Sequence, residues 1–248
     1  MKSPLSRRDF IVRVGAGAAG ATLAAPFVGE SLSAALSARG SMRIGIIGSG
    51  AMGGATGLQW ARAGHEILFS SRNPQELTEL VGAAGSRARA GYPQEAATFG
   101  QVVLIAVPYG ALPQVGQDYA ALMAGKIVID CGNPRADRDG PMADDAIARG
   151  TGVASAEYLP GVRLVRAFNC MSAQQMETEA HRPDPKIGVP IAADDPEAVR
   201  VAAELAVDAG FDPVIVGPLS RAREFDRGTP VYVRGLTAAQ LREALRLD

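Results

Sequence analysis

Three glycines beside the first apolar segment have the type and spacing to bind a phosphorylated ligand. Gly48, Gly50 and Gly53 form a G-x-G-x-x-G turn between the apolar run 44–47, which predicts a buried strand, and a predicted helix from Ala51. In such a unit the first glycine allows a tight turn, the second lets backbone approach a pyrophosphate, and the third lets the helix pack closely on the strand. The helix start also favours phosphate oxygens. The pattern therefore predicts a dinucleotide site.

The residues at the end of the second predicted strand indicate which dinucleotide binds. Sites that prefer NAD usually carry Asp or Glu here, because a carboxylate binds the ribose 2′-hydroxyl. This chain instead has the polar sequence Ser70, Ser71, Arg72, Asn73. Hydroxyl groups and a guanidinium suit a 2′-phosphate, since arginine forms charge-assisted hydrogen bonds with the dianion. We predict NADP(H); the alternative is a polar loop in which Asn73 caps the next helix.

The composition of the 248-residue chain excludes several classes of protein. With 25 basic and 26 acidic residues it has no large basic field for nucleic acid. A hydrophobic content of 47% with only 5% aromatic residues is typical of α/β enzymes. Cys131 and Cys170 are too few for a disulfide scaffold and lack metal-ligand spacing. We predict no metal site, and we interpret His65 as an exposed residue of a turn.

The first forty residues resemble an export signal. Two arginines in the segment 6–11 precede a weakly hydrophobic Gly/Ala-rich run over 12–28, and small residues suited to a signal peptidase follow. We expect residues 1–38 to be a twin-arginine (Tat) signal peptide and linker, read by the Tat export machinery. The alternative is a short membrane-anchoring helix. The protein is expected to be exported or periplasmic if the signal is used, and cytoplasmic otherwise.

The apolar periodicity after this segment alternates between strands and helices. We expect a helix over 51–62 and strands over 66–70, within 86–92, over 102–107 and over 126–130. The uninterrupted apolar run 102–107 is typical of a central parallel strand covered on both faces. This order predicts an α/β fold with a doubly wound, mostly parallel sheet of the Rossmann type.

The last third of the chain is expected to extend the same sheet. Segments 186–193 and 213–216 predict two strands, with a helix over 196–208 between them. We therefore divide the chain into an NADP-binding domain over 42–170 and a small C-terminal α/β extension over 171–248.

A final amphipathic helix is predicted over 238–247. Thr237 is expected to cap it, and Leu241 and Leu245 lie on its apolar side. Such a helix requires an apolar surface to pack against, and we expect a homodimer to provide one.

Groups for acid/base chemistry are scarce. Lys126 and Lys186 precede strands, so we expect them at the sheet edge away from the nucleotide. Tyr109 and Tyr158 are not part of a Tyr-x-x-x-Lys arrangement. The acidic pair 194–195 is better interpreted as a helix cap than as a catalytic pair. We therefore predict no catalytic side chain, which suits direct hydride transfer between two rings.

The order of motifs resembles the coenzyme F420-dependent NADP oxidoreductases. The resemblance covers residues 42–219 and is weaker beyond them. Its motifs are Ile44–Gly53, Ser71–Pro74, Ala106–Pro108, Asp130–Pro134, Leu164–Asn169, Ile191–Asp195 and Gly210–Leu219. This chain departs from the family at Glu76, where some members carry a basic residue near the 2′-phosphate.

The resemblance implies roles for residues at matching positions. The pyrophosphate would be held by the turn residues Ser49, Gly50, Ala51 and Met52, and the 2′-phosphate by Ser71 and Arg72. The nicotinamide pocket would be lined by Val107, Pro108 and Ala167. Asn133 and Asn169 would orient the carboxamide or the second substrate, although turn formation explains both asparagines equally well.

The expected reaction is hydride transfer between NADPH and a deazaflavin acceptor of the coenzyme F420 type. Two alternatives remain: an NADPH-dependent reductase of a flavin, quinone or metal chelate, and a non-catalytic NADP(H)-binding protein. Reductases with a large helical substrate domain are disfavoured, because too little chain follows Asn169. Cys131 and Cys170 are expected to be partly buried thiols, with a disulfide as the alternative outside the cytoplasm.

Overall fold

The structure is a computed structural model that describes residues 40–247. The predicted export signal over 1–38 lies outside the described residues. Residues 41–247 belong to one compact unit. Within the described range, no helix is long and apolar enough to cross a membrane.

One eight-stranded sheet organises this unit, in the order β3-β2-β1-β4-β5-β6-β7-β8. The strands are β1 (Arg43–Ile47), β2 (Glu66–Ser70), β3 (Ala88–Gly91), β4 (Val102–Ile105), β5 (Ile127–Asp130), β6 (Arg163–Arg166), β7 (Gly188–Ala193) and β8 (Asp212–Gly217). The order reverses between β1 and β4, and this is the position at which open α/β sheets bind ligands. The predicted doubly wound sheet is confirmed.

The last two strands run in the opposite direction to the other six. β6 pairs with β7 in antiparallel fashion, and β7 pairs with β8 in parallel. The start of β7 therefore lies at the same edge as the carboxyl ends of β1–β6. The expectation that Lys186 lies at the opposite edge was wrong for this reason. Lys126 does lie there, and its ammonium donates to the backbone oxygens of Ala97 and Thr98 at 2.7 and 2.9 Å.

The α-helices of the described residues pack on both faces of the sheet. They are α1 (Ala51–Arg62), α2 (Thr78–Ala84), α3 (Pro93–Phe99), α4 (Leu112–Met123), α5 (Ala136–Asp139), α6 (Pro141–Arg149), α7 (Thr151–Tyr158), α8 (Ala173–Thr178), α9 (Pro196–Asp208) and α10 (Ala238–Ala244). Short 3₁₀ segments cover Pro74–Leu77, Tyr109–Ala111 and Leu219–Glu224. Helices α3 and α5–α8 were not predicted from the sequence.

Alternation along the strands divides the core between the two faces. Ile44 and Ile46 of β1 face α1 and α9, whereas Ile47 at the end of the strand packs with α3 and α4. A third cluster covers β7 and β8 with residues that include Phe225 and Leu241. Burial on both faces explains why these strands read as continuous apolar runs.

Helix α10 buries its apolar side within its own chain. Leu241 and Leu245 are 2% and 7% exposed and pack with Val214 and Val216 of β8. The helix therefore needs no second copy to cover these side chains, and a homodimer has no support from this surface.

The acidic pair at the end of β7 serves structure, as predicted. Asp195 accepts from the N–H of Ala198 at 2.8 Å and caps α9. Its ion pair with Arg163 is the main reason that its pKa falls to about 2. Asp194 accepts from the N–H of Leu219 at 2.8 Å. Because β7 is reversed, both carboxylates lie at the edge away from the glycine turn.

His65 is buried, so its interpretation as an exposed turn residue was wrong. It is 3% exposed. Its Nδ1 accepts from the N–H of Met42 at 3.1 Å, and Nε2 lies 3.2 Å from Asp208 Oδ2. Since Nδ1 accepts, Nε2 carries the proton of the neutral ring. The imidazole therefore links the start of β1 to the end of α9.

We predict that Gly116→Ala destabilises the fold while Gly82→Ala does not. A Cβ at Gly116 would lie 1.7 Å from the backbone oxygen of Tyr158, so α4 and α7 would have to separate. A Cβ at Gly82, in exposed α2, would meet no atom within 4 Å. We expect Gly116→Ala to lower the free energy of unfolding by about 1–3 kcal/mol. Gly82→Ala should raise it by up to about 1 kcal/mol, and both values would be measured by urea unfolding. Equal unfolding midpoints for the two variants would contradict this packing.

Candidate functional site

Two of the three turn glycines are required by the packing of the chain itself. Gly48 has φ +94°, and a Cβ there would lie 2.7 Å from Val107 Cγ1. A Cβ at Gly53 would lie 2.2 Å from the backbone oxygen of Gly48. The turn can therefore form only with glycine at both positions, and it joins β1 to α1 as predicted.

Gly50 is different, because nothing in the described protein requires a glycine there. It is the N-cap of α1 with φ −75°, and a Cβ would meet no heavy atom within 4 Å. No side chain of the described residues caps this helix. The backbone at Gly50 thus borders open space beside the N–H groups that begin α1. This arrangement fits a phosphate group approaching the backbone closely.

Ser49 links the glycine turn to strand β2 through two hydrogen bonds. Its N–H donates to the backbone oxygen of Ser70 at 3.0 Å, and its Oγ accepts from the N–H of Ser70 at 2.9 Å. Ser70 is itself buried and donates to the backbone oxygen of Ile46 at 2.6 Å. These bonds hold the glycine turn beside the end of β2.

Arg72 is exposed after β2, and among residues 40–247 it makes no hydrogen bond or ion pair. The nearby acidic residue, Glu76, accepts instead from Asn73 Nδ2 at 3.1 Å. The hydroxyl of Ser71 accepts from the N–H of Asn73 at 2.9 Å. The guanidinium of Arg72 is therefore available to a ligand despite the carboxylate of Glu76.

The residues predicted to contact the nicotinamide or the pyrophosphate differ in exposure. Val107 is half-buried and Pro108 exposed directly after β4. Ala51 is exposed and Met52 half-buried at the start of α1. Ala167 is 0% exposed and lies within the core, so its side chain has no free surface in this structure.

Asn133 and Asn169 are brought together by the carboxyl ends of β5 and β6. Asn133 Nδ2 donates to the backbone oxygen of Asn169 at 2.8 Å, and Asn169 Nδ2 lies 3.4 Å from Asn133 Oδ1. Between β6 and Asn169, Phe168 adopts φ +61° and packs edge-to-face on Trp60 with ring centroids 5.7 Å apart. A left-handed conformation is rare for Phe, and here it turns the chain so that Asn169 reaches Asn133.

A buried ion pair lies directly beneath these asparagines. Arg166 is 0% exposed and donates to Asp130 Oδ2 at 2.7 Å and to the backbone oxygen of Gly132 at 2.7 Å. It also lies 3.3 Å from Asp226 Oδ1. Burial disfavours its charge, but the two carboxylates outweigh this and raise the pKa of Arg166 above its ordinary value.

Tyr109 is connected to Asp130 through Ser155. Its hydroxyl lies 3.0 Å from Ser155 Oγ, and Ser155 donates to Asp130 Oδ2 at 2.8 Å. Burial, followed by the charge of Asp130, raises the pKa of Tyr109 well above the ordinary value. The phenol therefore stays protonated and does not act as a base near neutral pH.

Both cysteines are buried free thiols. Burial raises the pKa of Cys131 to about 12 and that of Cys170 to about 11. Cys131 donates to the backbone oxygen of Ile105, and Cys170 to that of Val231. The thiol interpretation fits this structure, and the disulfide is not formed in it. In the part of the chain that is described, no three His, Cys, Asp or Glu side chains are grouped to hold a metal ion.

Part of the chain, from β1 to just after β5, is similar to a known family of proteins. Residues 43–134 match the family described as NADP oxidoreductase, coenzyme F420-dependent. This part of the chain is similar to these oxidoreductases. The F420-dependent NADP reductase of Methanothermobacter thermautotrophicus is 28% identical over 207 residues, which cover 77% of this chain and 88% of that protein.

A second group of relatives is larger than this chain. Metalloreductase STEAP3 of Rattus norvegicus is 29% identical over 191 residues, which cover 74% of this chain but only 36% of that protein. The shared part therefore corresponds to about one third of the metalloreductase.

Solved structures share the fold. Hypothetical protein SMa0349 of Sinorhizobium meliloti has a TM-score of 0.70 and 25% identity, covering 82% of this chain and 98% of that one. A putative F420-dependent NADP reductase of an Arthrobacter species has a TM-score of 0.62 and 22% identity, covering 74% of this chain and 88% of that one. At this identity the second likeness shows the fold alone.

The buried ion pair is the part of the site that sequence reasoning missed. Arg166 appeared only as part of a motif, and Asp226 lies beyond the recognised motifs. One signal was present: Arg166 interrupts the apolar run 164–168. A charge inside a buried strand requires an opposite charge, although its position in the sequence cannot be read from the pattern.

Proposed function

We propose that the chain is an NADP(H)-dependent oxidoreductase that transfers hydride between NADPH and a deazaflavin acceptor of the coenzyme F420 type. The carrying observation is the combination of an open backbone at Gly50 and an exposed guanidinium at Arg72 that has no partner among residues 40–247. Both lie at the carboxyl edge of the sheet, where a dinucleotide with a 2′-phosphate would place its two anionic groups. The F420-dependent NADP reductase among the relatives supports this acceptor.

The roles of individual residues follow from their positions. The N–H groups at the start of α1 would bind the pyrophosphate, and Arg72 with Ser71 would bind the 2′-phosphate. Val107 and Pro108 would lie along the nicotinamide, and Asn133 would hydrogen-bond its carboxamide. Reduced nicotinamide supplies the hydride when bound, and the protein aligns the two rings and excludes water.

This role requires no protein acid or base. Tyr109 is buried and stays protonated, Lys126 lies at the other edge of the sheet, and Lys186 precedes β7, three strands away from β4. Reductases of carbonyl substrates need a proton donor beside the reacting oxygen. The polar residues at the ends of β5 and β6 instead form a hydrogen-bonded set, which suits positioning.

A second candidate is an NADPH-dependent reductase of a flavin, quinone or metal chelate. The metalloreductases of the STEAP group among the relatives favour this reaction. A non-catalytic NADP(H)-binding protein would use the same nucleotide site without transferring hydride. The three candidates share the nucleotide site and differ in the acceptor.

Export and assembly are proposed separately from the reaction. Use of the twin-arginine segment over 1–38 would place the protein outside the cytoplasm, with the cofactor carried in its bound form. A homodimer remains a separate proposal, to be tested by the mass of the purified protein in solution.

We predict that the purified full-length chain oxidises NADPH when a deazaflavin acceptor is added. Absorbance of the reduced nicotinamide would be followed with no acceptor, with a deazaflavin, with a flavin or quinone, and with a ferric chelate. Turnover with deazaflavin alone supports the leading proposal, and turnover only with another acceptor supports the second. Tight NADPH binding without turnover on any acceptor would overturn the hydride-transfer assignment.

We predict that Arg72→Gln weakens NADPH binding by about 10- to 100-fold, as expected for the loss of a charge-assisted hydrogen bond. Binding of NADH should change by less than about threefold, because NADH lacks the 2′-phosphate. Both affinities would be measured by nicotinamide fluorescence.

Arg89→Gln is the matched control for this change. Arg89 is an exposed arginine of β3 whose guanidinium lies 4.8 Å from the centre of the Phe99 ring. It borders a cleft lined by Glu66 and Arg87, residues at the starts of their strands. This variant should bind NADPH normally. Equal losses for NADPH and NADH in Arg72→Gln would contradict the assigned role.

A further inference from the structure

Asp226 reaches the nucleotide edge from a segment beyond the recognised motifs. Because β8 is reversed, the chain leaves it at the opposite edge and returns along the sheet through the 3₁₀ segment Leu219–Glu224. Phe225 then packs in the core with 0% exposure. This anchor places the Asp226 side chain, 13% exposed, between α7 and the end of β6.

The Asp226 carboxylate is fully engaged with groups of three other segments. Thr151 Oγ1 lies 2.6 Å from both carboxylate oxygens, and Arg166 Nη2 lies 3.3 Å from Oδ1. Asn169 Nδ2 donates to Oδ1 at 3.2 Å. A carboxylate can only accept, so the NH₂ group of Asn169 must face it.

The orientation of the Asn169 amide also affects Asn133. With its NH₂ group towards Asp226, Asn169 also directs Nδ2 at Asn133 Oδ1, 3.4 Å away. The backbone oxygen of Asn169 accepts from Asn133 Nδ2 at 2.8 Å. Both ends of the half-buried Asn133 amide are thereby fixed, which leaves its second N–H and the free side of Oδ1 for a ligand.

The orientation is maintained although one polar atom is left unsatisfied. Asn169 Oδ1 is buried and has no hydrogen-bond partner among the described residues. A buried acceptor without a donor costs about 1–3 kcal/mol. Turning the amide over would direct this oxygen at the carboxylate of Asp226, which would cost more. The carboxylate of Asp226 therefore holds the Asn169 amide in its observed orientation.

We infer that Asp226 is a positioning residue that sets the amide orientations of Asn169 and Asn133 for recognition of the nicotinamide carboxamide. The inference rests on the proposed NADP(H) site and assigns to the C-terminal segment a part in that site. Asp226 itself does not touch the ligand.

The test uses Asp226→Asn, which keeps the size of the side chain but adds an NH₂ group that can donate to Asn169. Three ligands would be titrated by calorimetry: NADP⁺, its 3-acetylpyridine analogue, in which a methyl replaces the amide NH₂, and adenosine 2′,5′-bisphosphate, which lacks nicotinamide. The wild-type chain should prefer NADP⁺ over the analogue by about tenfold, the value of one hydrogen bond.

In Asp226→Asn this preference should fall to less than about threefold, while affinity for adenosine 2′,5′-bisphosphate stays within twofold. A merely structural role would weaken all three ligands together. Asp226→Glu, which restores an acceptor, should recover part of the preference. Glu224→Gln is the matched control: it removes a carboxylate two residues away that pairs with Arg221 at 2.7 Å, and it should leave all three affinities unchanged.

The outcomes separate the inference from the proposed function. An unchanged preference in a folded Asp226→Asn protein that still binds NADP⁺ would overturn the inference alone. Failure of the wild-type chain to bind either NADP⁺ or adenosine 2′,5′-bisphosphate would overturn the proposed function, and the inference with it.

Discussion

The buried guanidinium of Arg166 connects three parts of this chain that are distant in sequence. Arg166, at the end of β6, pairs with Asp130 of β5 and with Asp226 of the C-terminal segment, and it also binds the backbone oxygen of Gly132. Burying such charges costs several kcal/mol per ion, which their mutual attraction and hydrogen bonds offset only when the geometry is good. Loss of one partner typically costs about 3–5 kcal/mol, because a buried charge is left uncompensated. The carboxyl edge of β5 and β6 is therefore stabilised by contacts from all three segments.

The reversed direction of β7 and β8 determines the path by which the C-terminal segment reaches this ion pair. If β7 and β8 ran parallel to β6, the chain would leave β8 at the nucleotide edge and its C-terminal segment would begin there. Because they are antiparallel to it, the segment after β8 begins at the opposite edge and crosses the sheet on its way to Asp226. The same segment covers β7 and β8 with Phe225, Leu241 and Leu245. One change of strand direction thus gives this part of the chain both a packing role and a position beneath the site.

Local signals were sufficient for the elements that carry them. Helices α1 and α9 begin and end where predicted, since one follows the glycine turn and the other has Asp195 as its cap and Pro196 at its first position. Long apolar runs identified the central strands in the same way. The glycine turn and the Ser71–Arg72 loop were found because their chemistry is contiguous in sequence.

Features that depend on distant contacts could not be predicted. No sequence signal near His65 indicates its contact with Asp208. His65 was therefore interpreted as an exposed residue of a turn, although it is buried. The direction of β7 depends on how residues 167–187 fold between β6 and β7, and its reversal places Lys186 at the nucleotide edge. Asp226 lies 60 residues from Arg166, and no periodic pattern connects them.

The central claim is that the backbone at Gly50 is kept open for a ligand. NADPH affinity of Gly50→Ala, compared with Gly54→Ala, tests it most directly, because a Cβ at Gly54 would only contact Leu80 at an ordinary 3.5 Å. The account predicts that both variants unfold within about 1 kcal/mol of the wild-type chain. Gly54→Ala should bind NADPH normally, whereas Gly50→Ala should lose at least about tenfold in affinity, equivalent to about 1.4 kcal/mol. Normal NADPH binding by a folded Gly50→Ala protein would contradict the account.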